Sequence, residues 1–340
     1  MTSREIVKRT IQFQRPDRLA VQFDLLGRTD FAGIGPKPPA GVIWTGTGVD
    51  PWGCRWGQSE VVNMGTLVGH PLTDPAQIDT HPVPDFTQDY WWAGAEENLA
   101  RAEREQRYVT GGIFMILFER MHALCGLETV LMGLLTPADR PAMERLADRI
   151  VEVHLTLIEQ YRRRFAGRVH GISMTDDWGT QNQSFVKLAF WMDFFAPRYQ
   201  RLFDAMHAAG FDVWLHSCGK VNELIEGFIR VGVDVVNLQQ PRALGIEEVG
   251  KQYRGRITFS SLADIQATLP TGRADLIEAD AEALAANWML PAGGFVFSDY
   301  GDGRAIGTAD QSKLTMYRKF SEISERLYGN PLPAPILPKG

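Results

Sequence analysis

The feature that most constrains the fold is a regular alternation of short strand-like runs and helical patterns along the 340 residues. The strand-like runs are rich in β-branched and aromatic residues, and in the segments between them apolar residues recur at helical spacing. This alternation predicts a parallel sheet covered by helices. The predicted strands are residues 19–24, 108–114, 169–174, 213–216, 233–238, 257–260 and 294–298.

Helical patterns lie between these runs, and another begins the chain. Thr2 and Glu5 have the spacing of a capping box, which predicts an N-terminal helix that stops at Pro16. Strand starts in the second half recur at roughly 20 to 40 residues, about the length of one βα unit. The later helices are expected at residues 127–135, 138–165, 188–209, 221–231 and 281–290.

The number of strands favours a closed barrel, since seven is one fewer than a (β/α)₈ barrel contains. We predict a single-domain α/β TIM barrel over residues 1–330, with an unrecognised eighth strand and a proline-rich tail at 331–340. A doubly wound sheet is the alternative, but the chain has no glycine-rich dinucleotide or nucleotide-triphosphate fingerprint. Residues 31–64, rich in Gly, Pro and Trp, are expected to form a pocket-lining insertion after the first strand, with irregular strands at 43–44 and 53–62.

Composition and charge exclude several classes of partner. The net charge is −6 and the chain has no lysine- and arginine-rich stripe, so we expect neither a nucleic-acid nor a membrane partner. The first ten residues are polar and no apolar run reaches membrane-spanning length, which indicates a cytoplasmic protein. Cys54, Cys125 and Cys218 are widely spaced and odd in number, so reduced thiols are expected.

His216 and Cys218 are the strongest candidates for chemistry. In a TIM barrel, polar residues at the carboxyl ends of strands point into a shared mouth. A spacing of two along an extended chain puts the imidazole and the sulfur on the same side. Both are preferred zinc ligands, and a catalytic zinc takes three protein ligands. The other interpretation is a hydrogen-bonding histidine beside an inert packed cysteine.

A second strand end carries Asp176, Asp177, Trp178 and Gln181. Adjacent residues of a strand face opposite sides, so Asp177 is expected to face the mouth and orient substrate or a ligand, while Asp176 caps a helix or pairs elsewhere. A plain N-cap role for the acidic pair is the alternative. Trp178 and Gln181 are candidate substrate contacts.

Two further strand ends supply candidates. Phe114 follows a Gly-Gly pair and leads to Glu119. Glu119 is either a catalytic group buried in the mouth or half of a surface pair with Arg120 on the first turn of a helix. Gln239 offers an amide that can donate and accept hydrogen bonds to a polar substrate.

The last strand end carries Asp299, Tyr300 and Asp302. Tyr300 is a candidate substrate contact. Asp299 is the candidate third metal ligand, with Asp302 as the alternative, although a solvated Asp-Gly turn also explains Asp302. In the insertion, Trp52 is expected to form part of an aromatic pocket wall.

Taken together, these residues resemble the uroporphyrinogen decarboxylase superfamily, which includes zinc-dependent methyltransferases linked to cobalamin. The resemblance covers nearly the whole chain and is specific as a set. It implies a (β/α)₈ barrel, in agreement with the strand pattern. It is carried by residues 3–21, Asp50-Pro51-Trp52-Gly53, and residues 118–135, 175–181, 215–219, 232–241 and 293–294.

Within this superfamily the chain is closer to the methyltransferases than to the decarboxylases. Decarboxylases resemble one another in a Met-Arg-Gln-Ala-Gly-Arg run after the first strand, and only Gly27 and Arg28 match it here. A tetrapyrrole polycarboxylate would therefore lack expected charge partners.

The methyltransferase branch binds zinc through a His-x-Cys pair and a distant cysteine near the last strand. His216 and Cys218 match the pair, but residues 295–304 contain no cysteine. The resemblance thus implies an oxygen ligand, such as Asp299, in place of the missing sulfur.

The function implied by the resemblance is methyl transfer between a small methylated substrate or thiol and the cobalt centre of a corrinoid held by a partner protein. Zinc lowers the pKa of a thiol in this branch, which makes a thiolate nucleophile. A methoxy-aromatic substrate stacking on Trp52 or Phe114 is compatible with it, and family members are often homodimers. Two alternatives stay open: a metal-free carboxy-lyase in which Asp177 or His216 donates a proton, and a non-catalytic substrate-binding barrel.

Overall fold

The computed structural model describes residues 1–23, 27–58 and 65–335. In that part of the chain, eight parallel strands and one antiparallel strand form the main sheet, and three antiparallel strands form a smaller one. The strands are β1 (Ala20–Phe23), β2 (Arg28–Thr29), β3 (Phe31–Ile34), β4 (Gly48–Val49), β5 (Arg55–Gly57), β6 (Thr66–Gly69), β7 (Tyr108–Ile113), β8 (Gly171–Thr175), β9 (Asp212–His216), β10 (Val235–Asn237), β11 (Thr258–Ser261) and β12 (Phe295–Ser298).

Helices cover the main sheet and connect its strands. No helix within the described ranges is both long and apolar enough to cross a membrane. Short 3-10 helices lie at Pro75–Asp79, Asp89–Trp92, Leu269–Thr271 and Gly303–Ile306. The α-helices are α1 (Ser3–Ile11), α2 (Ala95–Arg104), α3 (Phe118–Cys125), α4 (Leu127–Leu135), α5 (Arg140–Phe165), α6 (Leu188–Phe194), α7 (Ala196–Ala208), α8 (Asn222–Arg230), α9 (Pro241–Leu244), α10 (Ile246–Tyr253), α11 (Ala274–Trp288) and α12 (Asp310–Tyr328).

The order of the strands confirms the predicted TIM barrel in a single domain. The main sheet runs β2-β1-β12-β11-β10-β9-β8-β7-β3. All seven predicted strands are present, although residue 24 of the first lies outside the described residues. The unrecognised eighth strand is β3, whose sequence Phe-Ala-Gly-Ile is short and contains Gly33. The insertion therefore follows the second barrel strand, β3, and leads to β7.

Asp30 links the two ends of the barrel sheet. Its backbone N–H donates to the carbonyl of Val21 in β1 at 2.7 Å, and its carboxylate accepts from the N–H of Val21 at 2.9 Å. Its carbonyl accepts from the N–H of Tyr108 in β7 at 2.8 Å. The carboxylate is buried and pairs with Arg18 at 2.6 Å, so its charge is compensated. Asp30 thus replaces regular strand pairing where β1 and β3 meet.

The insertion folds around the small sheet β4-β5-β6. The strand predicted at 43–44 is wrong, because these residues have no strand pairing. The strand predicted at 53–62 is represented by β5, and its residues 59–62 lie outside the described residues.

Several predicted helix boundaries are confirmed. Thr2 caps α1 by accepting a hydrogen bond from the N–H of Glu5 at 3.1 Å, and α4 matches its prediction residue for residue. The helix predicted at 188–209 is divided at Phe195, whose buried ring contacts Trp178 at a centroid distance of 4.6 Å. Of the predicted tail at 331–340, residues 331–335 are irregular and 336–340 lie outside the described residues.

Candidate active site

The carboxyl ends of β8 and β9 bring Asp177 to the His-x-Cys pair. The two strands are paired in register, with Thr175 opposite His216. Two residues further along, Asp177 Oδ1 accepts a hydrogen bond from the backbone N–H of Cys218 at 2.8 Å. The same oxygen lies 3.6 Å from His216 Nε2. The parallel register is therefore what makes Asp177 a neighbour of Cys218, 41 positions away in the chain.

The donor atoms of Asp177, His216 and Cys218 fit a zinc ion. They lie within 4.8 Å of one another, and His216 Nε2 is 3.2 Å from Cys218 Sγ. Tetrahedral zinc with bonds of about 2.0–2.3 Å separates its ligands by about 3.3–3.8 Å. One nitrogen, one sulfur and one oxygen ligand would leave the fourth position of a catalytic site for substrate.

Asn237, at the end of β10, determines which nitrogen of His216 is free. Asn237 Nδ2 lies 3.0 Å from the carbonyl oxygen of Ser260, which can only accept a hydrogen bond. The amide oxygen therefore faces His216 Nδ1, at 2.7 Å, and this nitrogen must carry the hydrogen. In the neutral imidazole, Nε2 is then the nitrogen that carries the lone pair, and it points toward Cys218 and Asp177. A carbonyl on the far nitrogen is the usual support of a metal-binding histidine.

The thiol of Cys218 is half-buried, and its surroundings disfavour the thiolate. Burial raises the pKa of Cys218, and the carboxylates of Asp177 and Glu119 raise it further. A divalent cation at this position would reverse that balance, because it stabilises the thiolate directly. The group is thus electrostatically suited to a cation.

Glu119 is buried, so the alternative of a surface pair with Arg120 is wrong. Burial and the negative charges of Asp177 and Asp176 raise the pKa of Glu119 well above its usual value. Its Oε2 is buried and makes no hydrogen bond to any residue that the structure describes. The surroundings of Glu119 therefore favour the protonated form of its carboxyl group.

Asp176 has the structural role predicted for it. Its carboxylate accepts hydrogen bonds from the N–H groups of Phe118 at 2.9 Å and Glu119 at 2.6 Å, and so caps α3. It also accepts a hydrogen bond from the hydroxyl of Tyr199. Burial raises the pKa of Asp176 to about 7. Asp176 therefore holds the start of α3, and with it Glu119, against the end of β8.

Asp299, predicted as the third metal ligand, has a different partner. Its carboxylate lies 2.9 Å from Lys313 Nζ, and the two side chains are only 4% and 1% exposed. A buried ammonium group needs a counter-charge, which Asp299 supplies. The prediction is corrected accordingly: among the described residues, Asp177 is the carboxylate that joins His216 and Cys218.

Of four further candidate substrate contacts, two line the mouth, one is buried in the core and one is exposed in a loop. Tyr300 and Gln239 line the mouth beside His216. Burial raises the pKa of Tyr300, and the negative charges of Cys218 and Asp177 raise it further. Trp178 is fully buried and stacks on Phe118 at 4.3 Å, so it is a packing residue and the predicted substrate contact is wrong. Gln181 is exposed in the loop after β8.

The mouth contains two adjoining cavities that share Ser173. We call the first the polar lobe; it measures about 280 Å³ and is lined by residues that include Ser173, His216, Asn237, Gln239 and Tyr300. We call the second the apolar lobe; it measures about 550 Å³ and is lined by residues that include Ile34, Trp44, Trp52, Phe86, Phe114 and Met174. The predicted wall residues Trp52 and Phe114 therefore lie in the apolar lobe.

A buried ion pair behind the apolar lobe is absent from the sequence predictions. Arg120 and Asp50 are both fully buried and lie 2.8 Å apart. Asp50 also accepts hydrogen bonds from the N–H groups of Trp52 and Cys54, each at 2.9 Å, and the Arg120 guanidinium lies 5.1 Å from the centre of the Trp52 ring. The pair joins α3 to the insertion and fixes Trp52. The signal for it was an arginine beside Glu119 and an aspartate before Pro51.

Comparison with known proteins supports the barrel. No family model matches the chain, and no curated protein matches its sequence. Among solved structures, a methyltransferase from Methanosarcina mazei superposes with a TM-score of 0.66, over 95% of this chain and 99% of that chain, at 15% identity. A D-psicose 3-epimerase from Clostridium cellulolyticum H10 gives a TM-score of 0.40 over 75% of this chain and 85% of that chain, at 13% identity. The first likeness establishes the fold.

Proposed function

We propose that the protein is a zinc-dependent methyltransferase that moves a methyl group between a small methylated substrate or thiol and the cobalt centre of a corrinoid protein. The observation that carries the proposal is the convergence of Asp177, His216 and Cys218 within 4.8 Å, with His216 Nδ1 hydrogen-bonded to the amide oxygen of Asn237. Two further points support it. The sequence resembles the zinc methyltransferase branch, and the similar structure from Methanosarcina mazei is named a methyltransferase.

His216, Cys218 and Asp177 would hold the metal. A bound zinc would lower the pKa of a substrate thiol or polarise a substrate oxygen, and so favour the nucleophile or leaving group of methyl transfer. The residues around the metal position orient its ligands and hold the strand ends in place. Asn237 holds the imidazole of His216 in the required tautomer, and Ser217 Oγ accepts from the N–H of Trp178 at 3.0 Å, which ties the ends of β8 and β9 together.

Glu119 provides a proton store beside the metal position. Burial and the charges of Asp177 and Asp176 favour the protonated form of its carboxyl group, since they raise its pKa. When a methylated oxygen or sulfur loses its methyl group, the electron pair of the broken bond stays on that atom, which then needs a proton or a cation. Glu119 can supply the proton, and it recovers one when a thiol becomes the nucleophile.

The polar lobe orients the reacting end of the substrate. Gln239 and Tyr300 line it with groups that donate and accept hydrogen bonds. The mouth opens at the carboxyl ends of the barrel strands, which is where a corrinoid protein would have to present its cobalt centre.

The test combines metal content with turnover. We expect about one zinc per chain in purified protein, and we expect His216→Ala and Cys218→Ser to lose both the zinc and methyl transfer from methylcobalamin to a thiol. Asp302→Asn is the matched control, because Asp302 pairs only with the exposed Arg304 in the described structure. Zinc-free wild-type protein, together with unchanged turnover in His216→Ala, would contradict the proposal. Ligand-induced thermal shifts without any methyl transfer would instead favour a substrate-binding barrel.

A further inference from the structure

The apolar lobe is larger than the reacting groups of methyl transfer require. Its volume of about 550 Å³ lies in the range of pockets that bury a small organic molecule. Two glycines keep it open, because a Cβ at Gly33 or Gly112 would meet no atom within 4 Å. Neither glycine has a positive φ, so their role is to leave room and not to form a turn.

The walls of this lobe suit a flat ring. Trp44, Phe86 and Phe114 line it, and Trp44 and Phe86 stack on each other with a centroid distance of 6.5 Å. Phe114 is held in turn by Trp56, at 5.9 Å. Aromatic surfaces of this kind bind a ring by stacking or by edge-to-face contact.

Lys37 gives one end of the apolar lobe a positive charge. Its side chain is exposed and lines the cavity, and within the described residues no carboxylate lies within 4.0 Å of its Nζ, the limit for an ion pair. Lys37 Nζ also lies close to Gly94, the N-cap of α2, where a Cβ would be 3.2 Å away. The positive end of the helix dipole of α2 therefore adds to the charge of Lys37. The nearby carboxylate of Glu96 is paired with Arg168 at 2.7 Å.

Asn98, on the second turn of α2, adds a hydrogen-bond donor to the same cavity. Its Oδ1 accepts from Arg101 Nη2 at 3.2 Å. Because a guanidinium can only donate, the amide orientation is set and Nδ2 is the atom left for a ligand. An ammonium and an amide N–H are the partners of an anion.

We propose that the apolar lobe binds the aromatic body of an anionic substrate, with its carboxylate on Lys37 and Asn98 and its methyl-bearing end in the polar lobe at Ser173. The assignment of the methyl-bearing end rests on the proposed function. The binding of an aromatic carboxylate does not, since none of the metal-ligand candidates takes part in it.

The charge requirement is tested by calorimetric titration of metal-free protein with 4-methoxybenzoate and with its uncharged analogue 4-methoxybenzamide. We expect the carboxylate to bind about tenfold more tightly or better, as a charge-assisted contact allows. Lys37→Met should reduce its affinity to that of the amide and leave the amide unchanged. Lys251→Met, on the exposed face of α10, is the matched control. Equal affinities in the wild type, or no effect of Lys37→Met, would overturn the proposal.

The position of the ring is tested by Gly112→Val. The new side chain would extend into the open apolar lobe without strain in β7, so we expect loss of binding of both compounds with unchanged thermal stability. Undiminished binding in a folded Gly112→Val variant would place the ring elsewhere. Both titrations measure binding without zinc or turnover. Their outcome therefore does not depend on whether the protein transfers methyl groups, and a failed methyl-transfer assay would not explain a failed titration.

Discussion

The two lobes of the mouth lie side by side but are built from different kinds of residue. In the polar lobe, strands β8, β9 and β10 end in side chains whose hydrogen bonds fix the orientation of the candidate metal ligands, as Asn237 does for His216. In the apolar lobe, β3 and β7 contribute Gly33 and Gly112, which leave space, and the insertion contributes rings. Under the proposed function, chemistry and substrate binding are divided between neighbouring strands of one barrel.

Each lobe also contains a histidine, and the two histidines have different surroundings. His154 lines the apolar lobe, where burial, with the nearby charge of Arg120, lowers its pKa to about 3. It is a neutral packing residue with Trp52 against it, at a centroid distance of 5.7 Å. His216 instead has both ring nitrogens placed against polar groups. The same residue type therefore serves packing in one lobe and is the proposed metal ligand in the other.

The largest expected effect concerns the support of the apolar lobe. Arg120→Met would leave the carboxylate of Asp50 buried without its cation, and we expect a loss of about 3–5 kcal/mol in the free energy of unfolding. Urea denaturation measures it. Adding Asp50→Asn should recover part of the loss, because the unpaired charge is removed. A single variant as stable as the wild type would show that the pair does not hold the lobe.

The next effect concerns Asp177, the proposed third zinc ligand. Asp177→Ala is expected to weaken zinc binding about 100-fold or more, since one of three protein ligands is lost. Competition with a chromogenic zinc chelator measures the affinity. Asp204→Ala, on the exposed face of α7, serves as the control. Unchanged zinc affinity in Asp177→Ala would remove Asp177 from the ligand set.

Substitution of Asn237 should reduce zinc affinity less than substitution of Asp177, because Asn237 acts on the metal only through His216. Asn237→Leu removes the oxygen that holds the hydrogen on His216 Nδ1, and we expect about a 10- to 100-fold loss of zinc affinity, as for other partners of metal-bound histidines. Asn237→Asp keeps an acceptor at this place and should restore most of the affinity. If Leu and Asp behave alike, Asn237 does not set the tautomer.

The smallest effect is the acid sensitivity of the apolar lobe. His154 stays neutral in the folded protein down to a pKa of about 3, whereas the unfolded chain takes up a proton near 6.5. His154 therefore contributes full stability above pH 6.5, and this contribution falls as the pH decreases through the window from 6.5 to 3. Between pH 6 and pH 5, His154→Gln should lose about 1 kcal/mol less than the wild type. Equal losses in denaturation curves at the two pH values would contradict this.

Sequence reasoning succeeded where local pattern carries the information. Helix α4 and the cap of α1 follow from spacing and capping alone, and the His216 and Cys218 pair follows from the period of a strand. It failed at β3, because a strand that keeps a cavity open with Gly33 lacks the side chains by which strands are recognised. It also failed at Trp178, since an aromatic residue after a strand can pack inward as well as face a ligand.

The sequence by itself determined the barrel, through the alternation of strands and helices, and one strand end at which a metal could bind. Only the tertiary structure decided which carboxylate joins that strand end. Asp299 follows the last strand but is held by the buried Lys313, whereas Asp177 follows β8, and the parallel register of β8 with β9 carries it to Cys218. The physical reason is that parallel strands bring their carboxyl ends together whatever the number of residues between them, while the charge of a buried partner determines which side chains remain available.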